Sequence, residues 1–165
     1  MNAVIDRAVE HVSSIEIIPY HPKFLWSALE VAEEIHKTSI FANFPFDSVK
    51  LIAQLSMAGT VQSKERYFRL AVRGERVLGG FYGMVMPVFF CDAIVAKDIG
   101  WWVREEARGG RTALLLLKDF ENWAVAQGAR KIGLGQTGVS DIERTRKLFE
   151  HCGYSVVGYN AMKDI

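Results

Sequence analysis

Hydrophobic and polar positions follow two periods along the chain, and the changes of period mark the predicted elements. Residues 14–19 alternate and are rich in β-branched side chains, which predicts a strand. Pro22 suits the first turn of a helix, and apolar residues then recur at helical spacing over Phe24–Ile35. Asp47 or Ser48 can cap a second helix, because both side chains accept hydrogen bonds from a first turn.

The middle of the chain favours strands. Tyr67–Val72 and Arg76–Met86 are predicted strands, and the tight turn at Gly74 joins them into a hairpin. A further long strand is predicted over Phe89–Val103. Glycines inside the second strand predict a bulge or a close approach of another backbone, and they are Gly79, Gly80 and Gly83.

The last third of the chain alternates helical and extended segments. Residues 113–124 place apolar side chains on one face of a helix, and Gly128 stands where a left-handed residue ends it. The remaining predicted elements are a short strand, a helix and one or two final strands, over Lys131–Leu134, Asp141–Gly153 and Tyr154–Lys163. The order β-α-α-β-β-β-α-β-α-β puts antiparallel hairpins first and a βαβ crossover second.

This order predicts an α+β fold with a central mixed, mostly antiparallel sheet and helices on both faces. The chain has 165 residues, which is typical of one domain, with residues 1–13 as a loose N-terminal extension. No internal repeat or linker divides it. Half of the residues are hydrophobic and 24% are charged, as in an ordinary globular protein rather than a disordered chain.

Charge and cysteine content narrow the function classes. Twenty basic and 19 acidic residues leave a net charge of +1, so the bulk charge gives no reason to expect a nucleic acid or an anionic membrane as partner. The uncharged run Val77–Cys91 is too short to span a bilayer, and residues 1–13 lack the apolar core of a signal peptide. Cys91 and Cys152 are expected to be free thiols, and we expect a cytoplasmic protein.

The segment Arg108-Gly-Gly-Arg-Thr-Ala113 lies between a predicted strand and a strongly periodic helix. Glycines leave backbone N–H groups uncovered, and a helix start adds unpaired donors and the positive end of the dipole. The segment therefore reads either as a site for phosphate or pyrophosphate, or as a glycine-rich corner with no ligand. Neither a P-loop nor a Gly-x-Gly-x-x-Gly fingerprint with its acidic partner is present here.

Two motifs and the element order resemble the GNAT superfamily of acetyl-CoA-dependent N-acetyltransferases. Residues 103–115 are similar to the pyrophosphate loop of that family, and residues 147–154, Lys-Leu-Phe-Glu-His-Cys-Gly-Tyr, are similar to its C-terminal motif. The resemblance implies acetyl-CoA as co-substrate. It implies that the strand binds pantetheine through Trp101, Trp102 and Val103, and that the loop binds pyrophosphate through Arg108, Gly109, Gly110, Arg111, Thr112 and Ala113.

Two positions depart from the family pattern. Arg111 stands where a glycine is usual, so its side chain either crowds the loop or reaches a phosphate. Phe149 stands where many members have the tyrosine that protonates the thiolate of CoA, and a phenyl ring has no proton to give. The nearby phenol of Tyr154 is the candidate proton donor, although that position matches an aromatic core residue of the family. Water or the incoming amine are alternative donors.

A general base must take a proton from the attacking amine. Asp98 is the first candidate, with Asp92, because the two flank one predicted strand and share a face by period-two counting. The second candidate set, on the first helix, is Glu33, Glu34 and His36. The four histidines lack metal-ligand spacing, so no metal is predicted.

The leading hypothesis is direct transfer of an acetyl group to a primary amine of a small molecule or peptide within a ternary complex. The cysteines lack a visible His/Asp partner set, so an acyl-enzyme is not expected. A non-catalytic acyl-CoA-binding protein on the same fold is the alternative, and a protein with an emptied CoA site is a third reading. Phe41–Phe46 and Phe81–Tyr82 are expected either to line the acceptor pocket or to lie in the core, and a homodimer is compatible with the sequence.

Overall fold

The computed structural model describes residues 14–60, 64–135 and 142–158 together with Lys163. Five strands and four α-helices follow one another in the predicted order as far as α4. The strands are β1 (Glu16–Pro19), β2 (Arg66–Arg73), β3 (Arg76–Pro87), β4 (Ile94–Val103) and β5 (Lys131–Gly133). The helices are α1 (Leu25–Lys37), α2 (Ser48–Thr60), α3 (Thr112–Ala126) and α4 (Ile142–His151), and short 3-10 turns cover Pro22–Phe24 and Glu105–Ala107.

The strands form one mixed sheet in the order β1-β2-β3-β4-β5. The first four strands are antiparallel neighbours, and β5 runs parallel to β4 after the crossover through α3. This arrangement confirms the predicted α+β fold with its mostly antiparallel sheet and βαβ unit. Asp47 is the cap of α2, because its Oδ1 accepts a hydrogen bond from the backbone N–H of Lys50 at 2.8 Å.

Two hydrophobic clusters cover opposite faces of the sheet, as predicted. On one face α3 packs Leu116 and Phe120 against Phe81 of β3. On the other face α1 packs Val31 against Leu70 of β2. Side chains of successive strand residues point to opposite faces, so neighbouring strand residues supply both clusters.

The glycines of β3 lie at a bulge and at a close approach of another backbone, as expected. Leu78 has no partner on β2 between the pairs Ala71–Gly79 and Val72–Val77, and a Cβ on Gly79 would stand 2.5 Å from the carbonyl oxygen of Trp102. A Cβ built on Gly80 would stand 2.6 Å from Cζ2 of Trp102, and one built on Gly83 would collide with the ring of Phe120. Asp98 pairs with Gly83 and Gly100 pairs with Tyr82, so one residue of β4 between them has no partner on β3. The missing side chains let rings from both faces lie against the backbone of β3.

The predicted strand over Phe89–Val103 is wrong in its first part. Residues 89–92 form a turn, which the backbone N–H of Val88 closes by donating to the carbonyl of Ala93 at 2.9 Å. β4 begins only at Ile94. The apolar run is continuous in sequence, but Pro87 ends β3 and the chain reverses. Asp92 therefore lies in this turn, and the expectation that it shares a strand face with Asp98 is also wrong.

Three glycines with positive φ end or turn elements where the sequence predicts it: Gly74 (φ 60°), Gly128 (φ 81°) and Gly153 (φ 85°). The predicted strand over Tyr154–Lys163 is not found over residues 154–158, which have no regular secondary structure. Residues 159–162, Asp141 and residues 1–13 lie outside the described part. Within that part, no helix combines the length and apolarity needed to cross a membrane.

Candidate active site

A cleft of about 1650 Å³ opens where β4 and β5 diverge. The two strands pair over only three residues, Val95–Lys97 with Lys131–Gly133, while β4 continues to Val103. We call the point of divergence the fork. There the side chain of Asp98 still spans the strands, because its Oδ1 accepts a hydrogen bond from the backbone N–H of Gly135 at 2.9 Å. Such a volume exceeds the roughly 300–1,000 Å³ of ordinary small-ligand sites, so it can hold two substrates.

The open edge of β4 offers backbone hydrogen-bonding groups to the cleft. The residue without a partner at the bulge is Ile99, directly after Asp98. Above the bulge, the N–H of Arg104 donates to Leu78 of β3 at 2.8 Å. Backbone groups of alternate residues point to opposite sides, so those of Trp101 and Val103 point towards the fork side.

A glycine loop, residues 104–111, joins β4 to α3 at the upper end of the cleft. Gly109 has φ 80°, a conformation that other residues adopt at a cost, and this turns the chain into the helix. Arg111 is the N-cap of α3 but makes no side-chain cap hydrogen bond, and the first turn carries no acidic residue. The helix start thus presents backbone donors and positive dipole charge, which favours an anion.

Arginine side chains increase the positive charge of this loop. Arg108 lines the cleft, and its Nε donates to the carbonyl of Val103 at 3.1 Å. Arg144 of α4 also lines the cleft, and a guanidinium nitrogen lies 3.0 Å from the place of a Cβ on Gly109. Sequence reasoning missed Arg144, because nothing local ties the first turn of α4 to the loop.

The other loop residues divide between the cleft and its surroundings. Gly110 and Ala113 line the cleft. Thr112 is buried, whereas Arg111 is exposed and is not among the described residues that line the cleft. The structure therefore brings most of the predicted loop residues together and leaves Arg111 at the rim.

Trp101 and Trp102 lie on opposite faces of the sheet, as predicted. Trp102 packs near Phe68 with ring centroids 6.2 Å apart. Trp101 lies between Phe81 and Phe149, and its ring is nearly parallel to that of Phe149 at 6.2 Å. Within the described residues, the buried Nε1 of Trp101 has no hydrogen-bond partner. Phe149 itself lines the cleft.

The two predicted catalytic residues have different surroundings. Burial raises the pKa of the Asp98 carboxyl, against smaller lowering effects of backbone N–H groups and Lys97, and this carboxyl lines the cleft. The hydroxyl of Tyr154 donates to Oε1 of Glu121 at 3.0 Å. Burial, and then Glu121, raise the pKa of Tyr154. Tyr154 is not among the described residues that line the cleft.

The second candidate set for the base is mostly engaged elsewhere. Glu34 pairs with Arg104 at 2.6 Å, and Glu33 pairs with Lys37 at 2.9 Å. His36 does line the cleft, with its ring 5.4 Å from that of Phe46.

Arg104 was missed by sequence reasoning because an arginine after a strand usually lies at the surface. Its guanidinium is buried, pairs with Glu30 at 3.0 Å as well as with Glu34, and donates from Nε to Val77 at 2.8 Å. It thereby fixes α1 to β3 and β4.

The aromatic segments predicted either to line the acceptor pocket or to lie in the core do both. Phe41 and Tyr82 line the cleft, whereas Phe81 lies in the core.

Cys91 and Cys152 are both free, as predicted. In the described part of the chain, no group of histidine, cysteine and carboxylate side chains could hold a metal ion.

Solved acetyltransferases share this architecture. A Trypanosoma brucei acetyltransferase is 18% identical with TM-score 0.71, over 92% of this chain and 100% of that one. A glucosamine-6-phosphate N-acetyltransferase from Arabidopsis thaliana is 10% identical with TM-score 0.73, over 92% and 98%. An aminoglycoside N-acetyltransferase, AAC(6′)-Iy, in complex with CoA is 14% identical with TM-score 0.73, over 95% and 98%.

Identities of this size establish the fold alone, and no curated protein matches the sequence. A family model does match, over residues 26–154, and it is described as the acetyltransferase (GNAT) family. The match covers most of the chain, including α1, the fork, the glycine loop and α4. The chain therefore belongs to the GNAT family of acetyltransferases.

Proposed function

We propose that this protein is an acetyl-CoA-dependent N-acetyltransferase in which a primary amine attacks the thioester directly. The observation that carries the proposal is the fork: β4 has an open edge, the half-buried carboxyl of Asp98 stands at its base and a glycine-rich helix start lies at its upper end. Membership of the GNAT family supports acetyl transfer in general. The choice of acetyl-CoA and of direct attack goes beyond that membership.

The cleft residues fit two parts of a CoA thioester, the pyrophosphate and the pantetheine arm. The glycine loop and the start of α3 would hold the pyrophosphate, with Arg108 and Arg144 adding positive charge. The backbone groups of Trp101 and Val103 would bind the amide-rich pantetheine arm, as an added strand binds an open sheet edge. Arg111, at the rim, is available to a phosphate outside the cleft.

Residues at the fork would carry out the proton transfer and polarise the thioester in the proposed reaction. Bound acetyl-CoA would supply an acetyl group activated as a thioester. Asp98 would take the proton of the attacking amine, directly or through water, and its raised pKa makes it a stronger base than an exposed aspartate. The backbone N–H of Trp101, on the open side of β4 and nearer to Asp98 than that of Val103, would polarise the thioester carbonyl.

Protonation of the departing thiolate needs no tyrosine at position 149. The amine loses a proton during transfer, and this proton or one from water can reach the sulfur. The assignment of Tyr154 as proton donor stays a prediction, because its hydroxyl would first have to leave Glu121.

A second reading is a CoA-binding protein without transferase activity, and Phe149 in the cleft is the observation that favours it. It shares the loop and the open edge but predicts no turnover. A protein with an emptied site would bind no CoA at all. The proposed acceptor is the amine of a small molecule or peptide, with no nucleic acid, no membrane and no metal in the reaction. The cytoplasm as location and a homodimer remain proposals.

The first experiment measures the melting temperature with acetyl-CoA and, as a control, with adenosine. At 100 times the dissociation constant, binding stabilises by about 2.7 kcal/mol, which corresponds to a rise of several degrees. Thioester consumption is then followed with a panel of amines. A melting shift with turnover supports the enzyme, a shift without turnover supports the binding protein, and no shift contradicts both.

A further inference from the structure

The charged side chains around the cleft are strongly asymmetric. Asp98 is the one acidic residue among the described residues that line it, whereas the basic ones are Lys37, Lys64, Arg66, Arg69, Arg108 and Arg144. Arg108 and Arg144 lie beside the glycine loop. The other basic side chains come from α1 and from the region of β2, at the part of the cleft away from that loop. A CoA pyrophosphate therefore does not account for them.

Ion pairs reduce this excess of charge only in part. Lys37 pairs with Glu33 at 2.9 Å, and Arg69 lies 3.8 Å from Asp119. Lys64 and Arg66 have no ion-pair partner in the described part of the chain. Both are exposed at the edge of the cleft, so their charges are available to a ligand.

An aromatic floor connects Arg66 with the fork. We define it as the side chains of Tyr20, Phe68, Tyr82 and Trp102. The ring centroid of Phe68 lies 5.7 Å from that of Tyr20, 5.9 Å from that of Tyr82 and 6.2 Å from that of Trp102. Phe68 pairs with Tyr82 across β2 and β3, and Tyr82 pairs with Gly100 across β3 and β4. Gly100 follows the bulge at the fork. The floor therefore crosses three strands, from the reacting end of the cleft to β2.

Arg66 lies at the far end of this floor. It precedes Phe68 by two residues on β2, so the two side chains share a face of the sheet. β2 and β4 are two strand spacings apart in the sheet. The backbone at Gly100 is therefore about 10 Å from the backbone at Phe68. A ligand that spans this distance would meet the proposed reaction site at one end, aromatic side chains along its body and a guanidinium at the other end.

We propose that the acceptor is an amine with an anionic group, a carboxylate or phosphate, at the opposite end of an apolar body, and that Arg66 binds the anion. This inference rests on the proposed function, because it assigns the acceptor of the same cleft. Charge-assisted hydrogen bonds of a guanidinium to an oxyanion recognise such a group. A polycationic amine would instead bring charge of the same sign to Arg66 and Lys64.

The test compares matched ligands on the full-length protein saturated with CoA, by calorimetry, so that the readout does not require turnover. The ligands are 4-(2-aminoethyl)benzoate and 4-(2-aminoethyl)benzamide, then tyramine phosphate and tyramine, and neamine as the polycation. The benzamide and tyramine keep the amine but are uncharged at the opposite end, and each is called the neutral analogue in that sense. We expect each anion to bind at least about tenfold more tightly than its neutral analogue, the usual size of a hydrogen bond to a charged group. The tighter of the two anions identifies carboxylate or phosphate as the group recognised.

Arg66→Gln should remove the preference for the anion and leave binding of the neutral analogue unchanged, whereas Arg66→Lys should keep part of the preference. Arg73→Gln is the matched control: Arg73 is exposed at the other end of β2, outside the described lining of the cleft, and its loss should change neither affinity. Equal affinities for anion and neutral analogue, no binding of either, or preference for neamine would overturn the inference. A melting shift with acetyl-CoA that persists in those cases leaves the proposed function standing.

Discussion

The two halves of the cleft differ in the groups that line them, which are mainly backbone groups in one half and side chains in the other. The half that we propose to bind CoA, here called the CoA half, consists mainly of backbone: the open edge of β4, the positive φ of Gly109 and the N–H groups at the start of α3. The half that we propose to bind the acceptor, here called the acceptor half, consists of side chains from separate elements, such as Phe68 of β2 and Tyr82 of β3. Backbone sites depend on local rules that glycine positions and helix starts reveal, whereas side-chain sites depend on which elements meet in space.

The sharpest test of the backbone half is Gly110→Glu. A carboxylate there would face the bound pyrophosphate, and two such charges at about 4 Å repel by several kcal/mol near a protein surface. We expect the affinity for acetyl-CoA, measured by calorimetry, to fall at least about a hundredfold.

Two variants at the same position isolate that charge. Gly110→Ala should keep the affinity, because its Cβ would lie 3.7 Å from the nearest atom, the carbonyl oxygen of Ala107. Gly110→Gln has the size of glutamate without its charge and should bind nearly as well. Unchanged binding by Gly110→Glu would place the phosphates elsewhere in the cleft.

The next largest effect concerns the step at the fork. Asp98→Asn keeps an acceptor oxygen for the N–H of Gly135 but cannot take a proton, so kcat should fall about a hundredfold or more, the usual share of a general base. CoA affinity should stay within about twofold. Asp92→Asn, in the exposed turn, is the control and should leave kcat unchanged.

The pH dependence provides a second readout of Asp98. Burial raises its pKa, and a base works only when deprotonated, so activity should increase with pH through a pKa above the usual value of about 3.9 for aspartate. The Asp98→Asn variant should lose this acidic limb. Retention of the limb in the variant would assign the base to another group.

Features of the cleft that are local in sequence could be predicted, whereas contacts between residues far apart in sequence could not. The glycine loop between a strand and a helix and the turns at Gly128 and Gly153 are local features, and the sequence predicts their positions correctly. Arg144 and Arg104 act through partners at least 27 positions away, and no local pattern indicates those contacts. The wrong strand start at Phe89 has a related cause, because an apolar run does not reveal where the chain reverses.

Arg104 tests how far the acceptor half depends on such distant contacts. Arg104→Met removes the buried guanidinium that connects α1 to β3, and we expect a loss of about 2 kcal/mol, the sum of a few hydrogen bonds. For a chain of this length that loss lowers the melting temperature by roughly 4–8 °C.

An exposed ion pair serves as the control for this measurement. Arg76 pairs with Glu106 at 2.6 Å, and both side chains are more than half exposed. Arg76→Met should change the free energy of unfolding by less than about 1 kcal/mol. Equal effects of the two variants would mean that Arg104 contributes no more than a surface charge.

The smallest expected effect is that of Tyr154→Phe, and it decides between two roles of one hydroxyl. If the hydroxyl serves only the bond to Glu121, the variant loses about 1 kcal/mol of stability and kcat stays within about twofold. If it protonates the thiolate, kcat falls strongly, while the loss of stability is the same, about 1 kcal/mol. Phe149→Tyr is the companion variant, because it introduces a phenol beside Trp101 in the cleft. A gain of kcat in that variant, together with a silent Tyr154→Phe, would show that the fork works without a dedicated proton donor and is improved by one.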